Sequence, residues 1–168
     1  EMLELGSNRI RTIQNLDRLT NLTSLYLGKN KIGQLTNLDA LTNLTVLSMQ
    51  SNRLLKIEGL SSLVNLEQLY LSHNGIEMIE GLDTLLKLET LDLAGNRIKK
   101  IQNISHLTNL TEFWFNDNLV YSWEDVGQQL GALKALETVY LERNPVWRDP
   151  DDPSKASADY RRKLILML

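Results

Sequence analysis

Cysteine is absent from the 168 residues, which excludes both a disulfide framework and thiolate metal sites and favours a reducing compartment such as cytosol or nucleus. Histidine is almost as scarce. His73 and His106 are the only two, they occupy different registers, and neither has carboxylates at ligand spacing, so no metal and no cofactor is expected. A surplus of positive charge is also missing. The formal net charge of -3 offers no general attraction to nucleic acid or to an anionic membrane, and neither is expected as a partner. No apolar run approaches the roughly 18 residues of a membrane-spanning helix, and the opening EMLELGSNRI lacks the layout of a signal peptide. There is no G-x-G-x-x-G, no phosphate-binding loop and no nucleophile elbow, which argues against an enzyme. Asp149, Asp151 and Asp152 are broken up by Pro150 and Pro153, so a solvated loop is expected there and not a calcium site.

What is present is a period. Asn8, Asn30, Asn52, Asn74, Asn96, Asn118 and Asn144 are separated by five steps of 22 residues and one of 26. Around each the frame LxxLxLxxNxI recurs, as in LTSLYLGKNKI (22–32) and LETLDLAGNRI (88–98). This is a short leucine-rich repeat, and it predicts an α/β right-handed solenoid with a parallel sheet on its concave face. Leu25 and Leu27 are two apart on a strand and turn inward together, leaving Tyr26 outward. Between strands, apolar residues recur every third position, as in Ile76, Ile79, Leu82, Leu85 and Leu88. That step drifts off an α-helical face and predicts short 3₁₀ turns on the convex side. Each repeat asparagine is expected to bond the backbone of its own and the adjacent turn, since a buried amide must be satisfied.

The step of 26 makes room for a helix in the last repeat. SWEDVGQQLGALKAL places Ser122 and Asp125 at capping-box spacing, followed by Trp123, Val126, Leu130 and Leu133 on one face. Residues 1–144 thus read as repeats, and 145–168 as a helical C-terminal cap, reached by a proline-bearing loop and shortened at its end. Glu1 falls within a pattern already under way, so upstream sequence is expected. Sequons start at Asn21, Asn43, Asn103 and Asn109 and, in a repeat that favours the recurring LTNL phrase, read as compositional. Arg9, Lys31, Arg53 and Arg97, each just after a repeat asparagine, read as a solvated rim.

The outward positions are where repeats differ. One row along the concave surface reads Glu4, Tyr26, Ser48, Tyr70, Asp92, Trp114, Tyr140; a parallel row includes Gln68 and Glu112, and a third Gln50, Asn116 and Glu142. Large aromatics interleaved with carboxylates on a curved sheet point to a protein-binding face with aromatic anchors. Its acidity favours a partner with a basic surface. The candidate contact residues are Glu4, Tyr26, Tyr70, Asp92, Glu112, Trp114, Tyr140 and Glu142.

With EFWFNDN, LGKNKI, LSMQSNRL, LYLSHNGIE, LETVYLERNP and the closing YRRK, the chain resembles the leucine-rich-repeat regulatory subunits of protein phosphatase 1. The resemblance implies a non-enzymatic subunit of nucleus and cytoplasm. Such a subunit would bind the catalytic subunit of this Ser/Thr phosphatase through its concave face, controlling its activity or biogenesis, often together with a further inhibitory subunit. Matched by register, the family's phosphatase contacts fall on Glu4, Tyr26, Asp92, Glu112, Trp114 and Tyr140. The family's chain has further repeats upstream, and its cap reaches the Tyr-Arg pair sooner than the nine residues between Pro150 and Tyr160 allow here. The alternative within the same fold is a scaffold for a cytoskeletal or ciliary protein.

Overall fold

The structure is a computed structural model describing residues 1–168. Seven strands of three residues each form one parallel sheet in chain order: β1 (Met2–Glu4), β2 (Ser24–Tyr26), β3 (Val46–Ser48), β4 (Gln68–Tyr70), β5 (Thr90–Asp92), β6 (Glu112–Trp114) and β7 (Thr138–Tyr140). Each pairs with the next without slip: Leu3 aligns with Leu25, Leu25 with Leu47, and so on to Phe113 with Val139. The central residue of each strand points inward and its two neighbours outward, the two-residue alternation of a strand reduced to its minimum.

Opposite the sheet, the step of three residues is realised as successive turns. Leu19 N–H donates to Leu16 O at 2.9 Å and Leu22 N–H to Leu19 O at 3.0 Å. The same pair recurs in the following repeats, for instance at Leu41 and Leu44 and again at Leu63 and Leu66. These bonds are i to i+3, as in a 3₁₀-helix, but stand singly; the one continuous 3₁₀ turn is Pro145–Trp147 in the cap. Leu16, Leu22, Leu38, Leu41, Leu44 and most of their equivalents are buried between the turns and the sheet, in one core that runs the length of the molecule, with Leu19 and Leu136 at its ends partly buried.

The asparagine ladder joins the repeats. Asn30 Nδ2 donates to Leu27 O of its own turn at 3.0 Å and to Leu5 O of the preceding repeat at 2.9 Å, while its Oδ1 accepts from Ile10 N–H at 2.9 Å. Asn52, Asn74, Asn96, Asn118 and Asn144 repeat the pattern. Asn8 Nδ2 bonds its own turn, to Leu5 O and Gly6 O, both at 3.0 Å. The residue before each asparagine is left-handed at every corner, including Lys29, His73, Asp117 and Arg143, with φ between 54° and 65°. Three of the four sequon asparagines have a structural task as well, Asn43 and Asn109 within an LTNL phrase and Asn103 within QNIS. Asn43, Asn103 and Asn109 donate to Thr20 O, Ile79 O and Leu86 O of the previous repeat, at 2.9 Å each. These bonds form a second set of asparagine contacts between repeats, on the convex side.

Helix α1 (Trp123–Leu130) fills the longer last repeat, and Ser122 caps it by accepting from Asp125 N–H at 3.1 Å. Leu133, expected on the helix face, lies beyond its end but is still buried, because the chain returns there to the three-residue turns. Gln129 of α1 reaches back to accept from Ile104 and Ser105 N–H at 3.1 and 3.2 Å, doing for the longer repeat what an asparagine does elsewhere. Helix α2 (Tyr160–Met167) covers α1: Tyr160 packs against Trp123 with ring centroids 5.9 Å apart and the planes tilted at 46°. Gly131 permits the approach, since a Cβ there would lie 2.9 Å from Met167 O. No helix is long and apolar enough to cross a membrane.

Candidate partner-binding surface

Because the register never slips, residues at equivalent positions stand in straight rows across the concave face. Trp114 therefore stands between Asp92 and Tyr140, with its body directed away from the Phe113 and Phe115 pair buried beneath it. Its ring meets Tyr140 edge to face with centroids 6.3 Å apart at 76°, and meets Tyr70, two strands away, at 6.2 Å and 62°. This is the geometry aromatic quadrupoles prefer, and it holds three rings in one fixed cluster. Two of the three polar ends are held too. Trp114 Nε1–H donates to Glu112 Oε2 at 3.1 Å, and Tyr70 O–H to Gln68 Oε1 at 3.1 Å.

Tyr70 and Trp114 can meet because β5 places a short side chain between them. Asp92 is only 4% exposed, and its Oδ1 accepts from Ala94 N–H at 3.0 Å. Burial raises its pKa above the usual carboxylate range, opposed by bonds from the Ser72 side chain and Ala94 N–H. The Tyr70 hydroxyl is also raised, first by burial and then by the charges of Glu112 and nearby groups. Asp92 thus underlies the aromatic cluster and presents little surface of its own. Beside the cluster lies a hollow of about 450 Å³, lined by Trp114, Asn116, Tyr140, Glu142 and Arg143.

Six of the eight candidate residues, Tyr70, Asp92, Glu112, Trp114, Tyr140 and Glu142, fall in this C-terminal half of the face. Glu4 and Tyr26 do not join them. They border a second, polar hollow of about 440 Å³ whose lining also includes Ser48, Gln50, Ser72 and His73. There Glu4 Oε1 turns back to accept from Gly6 N–H at 2.6 Å. Reading the rows from sequence missed Arg143, which forks its guanidinium onto Asp117, with Nη2 to Oδ2 at 2.6 Å. Asn116 Nδ2 also donates to Asp117 Oδ2, at 2.7 Å. Arg143 holds the Asp117 carboxyl below the usual range. The signal was available: Asp117 and Arg143 occupy the same corner of consecutive repeats with opposite charge.

The family described as "Leucine Rich repeats (2 copies)" matches residues 1–40, 42–84 and 86–125. The chain belongs to the leucine-rich-repeat family. Among curated relatives, this repeat protein is 68% identical over 50 residues to "Protein phosphatase 1 regulatory subunit 7" of Homo sapiens, covering 30% of the chain and 11% of that protein. It is 67% identical over 50 residues to the protein of the same name from Rattus norvegicus, with the same coverage. The alignments thus span about a tenth of the length of those relatives. Among solved structures, an internalin (InlF) from Listeria monocytogenes superposes on 97% of the repeat chain and 45% of its own, with TM-score 0.79 and 27% identity. An internalin C2 from the same organism covers 83% and 70%, with TM-score 0.68 and 29% identity. The parallel-sheet solenoid is therefore shared with the internalins, while a 50-residue segment is 67–68% identical to the phosphatase regulatory subunits.

Proposed function

We propose that this chain is a regulatory subunit that binds the catalytic subunit of protein phosphatase 1 through its concave surface and controls its activity or biogenesis in nucleus and cytoplasm. The observation that carries the reading is the fixed cluster of Tyr70, Trp114 and Tyr140, bordered by Glu112 and Glu142. The phosphatase is chosen as the partner because of the 50-residue identity to its regulatory subunit 7. Rigid aromatics, two of them with bonded polar ends, lose little conformational freedom on binding and suit the role of anchors. The carboxylates around them repel acidic surfaces and steer basic ones.

Calorimetric titration of the purified phosphatase catalytic subunit with wild-type and Trp114→Ala chains tests this, with circular dichroism to verify that the variant is folded. Loss of about tenfold or more in affinity, roughly 1.4 kcal/mol, is the expected result. Equal affinities would refute the role given to the aromatic cluster. Absence of wild-type binding would rule out the phosphatase as partner of this face.

A further inference from the structure

Arg143 borders the hollow beside Trp114. That residue also walls a second hollow of about 450 Å³, at the junction with the cap, completed by Asp117, Trp147, Arg148, Pro153 and Ser154. The chain around it is well tied. Pro145 opens the 3₁₀ turn, Ser157 N–H donates to Trp147 O at 2.8 Å, Asp149 N–H donates to Lys155 O at 2.9 Å, and Arg148 bridges to Ala156 in antiparallel fashion. Most charges here are already engaged. Asp117 is forked by Arg143; Asp152 pairs with Lys155 at 2.8 Å and accepts from Ser154 Oγ at 2.6 Å; Asp149 Oδ1 accepts from the N–H groups of Asp151 and Asp152. Arg148 differs: its side chain is exposed and enters none of the three ion pairs of the molecule. A preformed depression with one uncommitted guanidinium next to a half-buried indole suits a carboxylate followed or preceded by an apolar side chain.

We propose that this cap hollow is a second contact of the same interface. It receives an acidic side chain from the stretch of the partner that leaves the aromatic cluster past Arg143, with an apolar neighbour laid on Trp147. The proposal rests on the reading of the concave face as the phosphatase-binding surface, and extends it by adding a site of opposite charge preference at one end.

Wild-type, Arg148→Glu and Arg148→Lys chains are titrated against the phosphatase catalytic subunit at about 0.1 M and about 0.5 M salt, since screening shortens to a few ångströms over this range. Melting curves of the free chains are recorded alongside. The expected result is a loss of about tenfold for Arg148→Glu at low salt, shrinking to under about threefold at high salt, with Arg148→Lys retaining most of the affinity. Equal binding of Arg148→Glu and wild type overturns the cap contact and leaves the concave reading intact. A loss that is the same at both salts and accompanied by a lowered melting temperature assigns Arg148 a structural role and overturns the contact as well. Absence of wild-type binding removes both readings together.

Discussion

At the scale of single residues, the repeat asparagines show how position sets the energetic value of one side-chain type. Asn96 is 7% exposed, donates to Leu71 O and Leu93 O, and accepts from Ile76 N–H. Asn8 is exposed and bonds only two carbonyls of its own turn. Removing a buried partner leaves the other groups unsatisfied at about 1–3 kcal/mol each. Asn96→Ala is therefore expected to cost about 3 kcal/mol in urea denaturation and Asn8→Ala under about 1 kcal/mol; similar costs would contradict the ladder as the source. Tyr160 is the reverse case. It is 5% exposed, yet its hydroxyl makes no hydrogen bond of good geometry despite the Leu141 backbone beside it, and burial pushes its pKa far up. Tyr160→Phe removes an unsatisfied group while keeping the ring contact with Trp123. Its expected effect is a stability unchanged or raised by up to about 1 kcal/mol, read from the same denaturation curves.

At the scale of elements, strand β5 carries a built-in pH dependence. Asp92 has a folded pKa raised by burial, so between the ordinary carboxylate range and that raised value the folded state holds more protons than the unfolded one. Stability contributed by this group is then full at lower pH and declines as pH rises through that window. Asp117 has the opposite sign: its pKa is lowered, first by the Arg143 hydrogen bond, so its contribution is present above the ordinary range and is lost as pH falls through its folded value. Asp117 is largely solvated, so its share is small and salt-sensitive. Asp92→Asn should raise the melting temperature at pH 7 and flatten its dependence on pH above the ordinary carboxylate range. A melting temperature that falls at pH 7 would mean that the charged form is stabilised in the fold after all. The strand also accounts for the cluster: a bulky residue at position 92 would separate Tyr70 from Trp114, and the short aspartate lets them touch across it.

At the scale of the whole molecule, the sequence by itself determined the solenoid. A 22-residue period carrying inward leucines at a spacing of two and turn leucines at a spacing of three admits one arrangement, because each repeat buries its apolar edge only against the next. The same register told which side chains leave the sheet, so the outward rows, Trp114 among them, were legible before any coordinates. The extent of helix α1 and the reach of Gln129 were not, since a helix in a longer repeat ends where packing against α2 and the preceding turns stops rewarding it. Nor were the groupings within the rows. That Trp114 touches Tyr70 as well as its neighbour Tyr140, that Asp92 lies beneath them, that Glu4 and Tyr26 stand apart, and that Arg143 borders two hollows are facts of curvature and side-chain rotamer. Periodicity assigns residues to a face; only the tertiary structure brings particular side chains within the few ångströms at which rings stack and charges pair.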